Sequence, residues 1–142
     1  DWDIDNALLN AGTSTVLARG AGPEGNGWPV GVSGEYGAET GIDRTVLVNE
    51  ALSGSGTAVK GAHIRTPESG AAAPAIAAWV KAGSAAWTDA LSTAMMVLSR
   101  ETSEAMMQKD LESAGIVLYP AEFPLVIGHW SGIQPDSGLR TK

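Results

Sequence analysis

Apolar and polar residues alternate with period two over the first half of the chain, and recur with a helical period over much of the second. Segments 13–19, 29–33, 45–49 and 57–65 carry β-branched alternation bounded by Gly, Pro and Asn, and each predicts a strand. In 45–49, Val46 and Val48 share one face and Leu47 takes the other. Pro29 and Gly31 remove a donor and a side chain from 29–33, and Gly61 breaks 57–65 with a bulge or a close approach. From Pro74, which suits the first turn of a helix, Ile76, Val80, Trp87, Leu91, Met95 and Leu98 recur at spacings of 4, 7, 4, 4 and 3. That is one apolar stripe on a 3.6-residue period.

Gly83-Ser84 interrupts the stripe, with Ser84 placed to cap a second piece. Segment 103–114 predicts a further helix carrying Met106, Met107 and Leu111 and closing at Gly115. The apolar runs 116–119 and 125–127, bounded by Pro120 and Pro124, predict two short buried strands. Strand, helical segment and strand in succession resemble a crossover unit. The expected fold is mixed α+β: a sheet of about five or six strands with a Gly-rich β first half, covered by a long or broken helical segment, then two short C-terminal strands. One domain is expected over 1–131, with a flexible polar tail over 132–142.

Composition narrows the classes. At 142 residues, 44% hydrophobic and 18% charged, the chain is globular and of one-domain size. Without Cys, a disulfide framework, a zinc thiolate site and a Cys nucleophile are excluded. The net charge of −7 is concentrated in residues 1–50, where eight acids face two bases, and it argues against nucleic acid. The longest uncharged apolar run, 70–80, is too short and too Ala-rich to enter a bilayer as a span. The first residue is Asp rather than Met, as a cleaved secretory signal would leave it. Extracellular, virion-surface and cytoplasmic locations all stay open.

Several motifs invite chemistry. Segment 20–25, GAGPEG, satisfies G-x-G-x-x-G after a predicted strand. A dinucleotide site needs a helix next, whereas Pro23 and the following Asn-Gly-Trp-Pro read as turn and strand, so no nucleotide cofactor is expected. Ser53-Gly54-Ser55-Gly56-Thr57 has the makings of an anion nest but lacks a P-loop Lys and reads as a tight turn. Asp1, Asp3 and Asp5 alternate with Trp2 and Ile4; a Ca²⁺ loop would need Gly at position 6 and Glu at 12, where Asn6 and Gly12 stand. An edge strand with its carboxylates in water is expected there. Segment 5–12, DNALLNAG, with Arg19 after it, resembles the start of the pyruvoyl-dependent arginine decarboxylases. That family implies a Ser-Ser cleavage site generating a pyruvoyl group; 19–29 holds none, and the resemblance stops there.

His63 and His129, if the fold brings them together, offer general acid–base chemistry near neutral pH, with Glu35, Glu39 and Asp43 as carboxylates from one loop. Five of eight aromatics are Trp, suited to a small ligand, a sugar or a protein interface. Trp79 and Trp87, on a continuous helix, would point roughly 80° apart, and Met95-Met96 and Met106-Met107 widen the apolar surface. These features lead to a non-enzymatic, self-associating structural or binding module. It would be a homo-oligomer or part of an assembly, with Trp79, Trp87, Met96 and Met107 at the contact. The alternative is a small hydrolase or lyase with His63 or His129 as base and a carboxylate from 35–43.

Overall fold

A computed structural model of the chain describes residues 3–32, 36 and 44–130. The elements are β1 (Ala7–Ala11), β2 (Thr15–Arg19), β3 (Trp28–Gly31), β4 (Arg44–Leu47), β5 (Ala51–Gly56), β6 (Ala77–Ala82), α1 (Ala85–Val97), α2 (Arg100–Met107), β7 (Ala114–Leu118) and β8 (Leu125–Ile127). Six strands form one sheet in the order β1-β2-β5-β6-β7-β8, and β3 pairs with β4 in a small second sheet. Every pairing is antiparallel. The architecture is mixed α+β, as the sequence predicts. The expected crossover is not formed, because two helices stand between β6 and β7. Instead β7 returns antiparallel to β6 as its direct neighbour in the sheet.

Alternation in the strands builds two cores. One face of the large sheet presents Val80, Val117 and Leu125 to Leu91, Met95 and Met96 of α1 and Met107 of α2. The other presents Leu52, Ile116 and Val126 to Leu47 and Val32 at the small sheet. Three layers result: helix pair, six-stranded sheet, two-stranded ribbon. Met96 and Met107 are 0% and 2% exposed, so the helix-borne contact surface expected at those residues is absent. The reason is Gly115: it lies in β7 rather than ending a helix, and a Cβ there would come 2.9 Å from Met95 Cε and 3.1 Å from Met107 Cε. The space left by the glycine takes both thioethers inward.

Trp79 is likewise not on a helix. The run Ala77–Ala82 is a central strand, and the helical stripe begins only after Ser84, which caps α1 by accepting the Trp87 N–H at 3.4 Å. Trp79 is half-buried on the ribbon side. Trp87 is 50% exposed, and its indole N–H donates to Asp110 Oδ2 at 2.9 Å. Segment 57–65 is a loop rather than a strand, and β5 occupies the serine–glycine run expected to turn. Asp3 to Asp5 hold no strand, with Ile4 exposed. Asp1 and the tail 132–142 lie outside the described residues. No described helix is long and apolar enough to cross a membrane.

The GAGPEG segment is a turn leading into β3. Gly22 has φ +73°, its N–H donates to Asn6 Oδ1 at 3.0 Å, and the Gly27 N–H donates to Ala21 O at 2.6 Å. A Cβ on Gly22 would lie 2.6 Å from the Gly27 carbonyl oxygen. Gly22→Ala is expected to cost about 2 kcal/mol in chemical denaturation, from the left-handed backbone and the clash together. Ser84→Ala removes the α1 cap and should cost about 1 kcal/mol in the same assay.

Asp110 gives a prediction in acid. The Trp87 N–H and then the Ser113 hydroxyl (2.7 Å) hold its carboxyl below the usual aspartate range. A lowered folded-state value means the contribution is present above the ordinary aspartate pKa of about 3.9 and is lost as pH falls through the lowered one. Tryptophan emission should therefore change only below about pH 3.9, and Trp87→Phe should remove that change.

Candidate functional site

The central strand β5 joins opposite requirements on its two faces. Ser53 and Ser55 point to the helices and Gly54 to the ribbon side. Ser53 Oγ lies 2.7 Å from Thr88 Oγ1 and 3.0 Å from Thr15 Oγ1. Ser55 Oγ lies 3.0 Å from both Ser92 Oγ and Thr93 Oγ1. The seam between sheet and α1 is thus a ladder of hydroxyls here, and no buried side-chain polar atom among the described residues lacks a partner. The ladder ends at Asp89, whose Oδ1 accepts from the Thr15 hydroxyl at 3.4 Å.

Where β5 ends, a cavity of about 480 Å³ opens. Its walls are Asp89 and Thr93 of α1, Ser55 of β5, Trp79 of β6, Tyr36, and the loop after β5 with Lys60 and His63. That loop is anchored by its own sequence. Ile64 packs on the helix-side core, and its carbonyl accepts from the Ala73 N–H at 3.0 Å. The Thr66 and Ser69 hydroxyls meet at 2.6 Å, and Arg65 Nη1 donates to Gly70 O at 3.2 Å. His63 therefore stands at the base of a closed turn. Its Nδ1 lies 2.9 Å from Gly61 O. A carbonyl can only accept, so Nδ1 carries the proton and the neutral ring keeps its lone pair on Nε2. The arrangement offers a proton acceptor, a carboxylate, an ammonium, several hydroxyls and aromatic faces in one open cleft.

The two histidines do not converge. His129 is exposed just after β8, three strand positions from β5 across the sheet, about 14 Å at the usual strand spacing. Glu35, Glu39 and Asp43 lie outside the described residues. Asp3 and Asp5 are exposed, and no group of three His, Cys, Asp or Glu that could hold a metal gathers among the described residues. The carboxylate that does line the cleft with His63 is Asp89, a residue outside the 35–43 loop expected to supply it. The sequence carries a signal for it: Asp89, Ser92 and Thr93 stand at i, i+3 and i+4, and with Thr88 they are the polar residues of this helix.

The ApbE family model matches residues 1–117, running from the first residue into β7. No curated protein matches the chain. Among solved structures, the flavinyl transferase ApbE of Pseudomonas stutzeri in its apo form is similar with TM-score 0.69 and 22% identity, covering 87% of this chain and 40% of that one. The flavin transferase ApbE of Vibrio cholerae is similar with TM-score 0.68 and 17% identity, covering 86% and 42%. Its histidine-to-glycine mutant matches with TM-score 0.69 and 17% identity, covering 89% and 42%. The chain thus spans about two fifths of the length of these proteins.

The reading as a non-enzymatic structural, assembly or virion module is overturned by the family match, and the hydrolase-or-lyase alternative gives way with it. The segment that resembles pyruvoyl-dependent arginine decarboxylases lies inside the matched region. A match over 1–117 of 142 residues, laid on a shared fold, decides the family: the chain belongs to the ApbE family.

Proposed function

We propose that the chain carries the cleft of an enzyme that transfers a flavin-bearing group to an acceptor. The observation that carries this reading is the family match over 1–117; the cleft at the end of β5 supplies the chemistry. A flavin nucleotide brings a flat aromatic ring, a hydroxylated chain and negative phosphate. The aromatic faces of Trp79 and Tyr36, the hydroxyls of Ser55 and Thr93 and the ammonium of Lys60 complement those three parts in turn. His63, whose Nε2 is bonded to no described residue, takes the proton from the acceptor's attacking hydroxyl as that oxygen bonds to the flavin-side phosphorus of a flavin dinucleotide; the bond from this phosphorus to the bridging oxygen breaks, and the nucleoside monophosphate leaves with that oxygen. One of the Vibrio cholerae structures carries a histidine-to-glycine change, and His63 is the described histidine of this chain that lines the cleft.

The test is titration of the protein with flavin mononucleotide and flavin adenine dinucleotide, followed by chromatography of the dinucleotide with and without acceptor polypeptides. Saturable binding and conversion of the dinucleotide are expected. His63→Gly should lower the conversion rate roughly 10²- to 10⁴-fold while leaving the flavin Kd within about threefold, because it removes a proton acceptor and little binding surface. Failure of the wild-type chain to bind either flavin would refute the reading; wild-type conversion by the His63→Gly variant would remove His63 from its role.

A further inference from the structure

We propose that Trp79 is a ligand-contacting, specificity-determining residue, its indole N–H donating a hydrogen bond to a flavin whose ring lies against the indole; this rests on the flavin reading above. Of the four described tryptophans, three spend that donor on the protein. Trp28 donates to Arg19 O at 3.1 Å, Trp87 to Asp110 Oδ2 at 2.9 Å and Trp130 to Ile127 O at 3.3 Å. Trp79 has no hydrogen-bond partner among the described residues. A half-buried indole usually finds a partner; no described residue takes this one, and Trp79 lines a cavity, so the donor is kept for something else.

Its seat is built from the sequence. Trp79 pairs with Gly54 across β5 and β6, and a Cβ on Gly54 would come 2.8 Å from Cδ1 and 2.9 Å from Nε1 of the indole. Only a glycine lets the N–H-bearing edge lie over the strand. That edge stands where the 480 Å³ cleft meets a second cavity of about 340 Å³, the two sharing Gly54 and Trp79 in their walls. The indole is thus a partition whose edge donor no described residue accepts. Flavins present carbonyl oxygens and ring nitrogens as acceptors beside an electron-poor planar surface. An electron-rich indole laid against that surface quenches flavin emission, and the edge donor selects a ligand with an acceptor at its rim.

The experiment is titration of flavin mononucleotide into the folded wild-type chain and into Trp79→Phe and Trp79→Leu, read by flavin fluorescence. Wild type should quench the flavin saturably. Trp79→Phe keeps a flat ring and loses the donor, so its Kd should rise roughly three- to tenfold; Trp79→Leu should also lose most of the quenching. In ¹⁵N-labelled wild type, the Trp79 indole signal, assigned through the backbone, should move on saturation, a reading that stands even if a variant does not fold. If wild type binds the flavin while that signal stays still, or while both variants keep wild-type Kd and quenching, the role of Trp79 is overturned and the flavin reading survives. If wild type binds no flavin, both fall.

Discussion

The structure turns on β5, a central strand with almost no apolar side chains beyond its first two residues. Ala51–Gly56 must satisfy a neighbour strand on each edge, a helix on one face and a tryptophan on the other. Serine and glycine in alternation meet all four demands. The hydroxyls of Ser53 and Ser55 bond to Thr88, Ser92 and Thr93, which lets α1 approach closely without leaving a buried donor unpaired. Gly54 leaves room for the Trp79 ring. A β-branched or aromatic residue at Gly54 would displace the indole, and an apolar one at Ser53 would strip partners from Thr88 and Thr15.

The candidate site follows from that strand. Because α1 is drawn down by hydroxyl contacts, Asp89 reaches the rim of the sheet beside Thr15. The chain then leaves β5 into the loop that holds His63, and the Gly61 carbonyl and the Ile64 anchor fix that loop. The polar groups that line the cleft thus come from a helix flank and from a loop closed by its own hydrogen bonds, with the strand between them as the common reference. The Met95, Met96 and Met107 core on the helix side is the apolar counterpart that holds the helix pair in place.

The parts of the fold legible in the sequence were those where propensity and environment agree. β2, β4 and β8 have β-branched or continuous apolar residues where the strands run, and the Ser84 cap was readable from Gly83-Ser84 alone. β5 was not legible, since Ser-Gly-Ser-Gly has the composition of a turn and only its neighbours make it a strand. β6 was misread because Ala-Ala-Trp-Val-Lys-Ala favours helix locally, and Ile76 and Val80 fall by coincidence on the helical stripe of α1. His63 could be named but not paired, because its carboxylate neighbour in the cleft is 26 residues away on another element.

The central claim, that flavin is held in the cleft at the end of β5, is tested most directly by hydrogen–deuterium exchange with and without saturating flavin nucleotide. The account predicts slowed exchange in 13–15, 54–63 and the first half of α1, with β8 and α2 unchanged. Protection confined to β7, β8 or α2, or no protection anywhere at saturation, would contradict it.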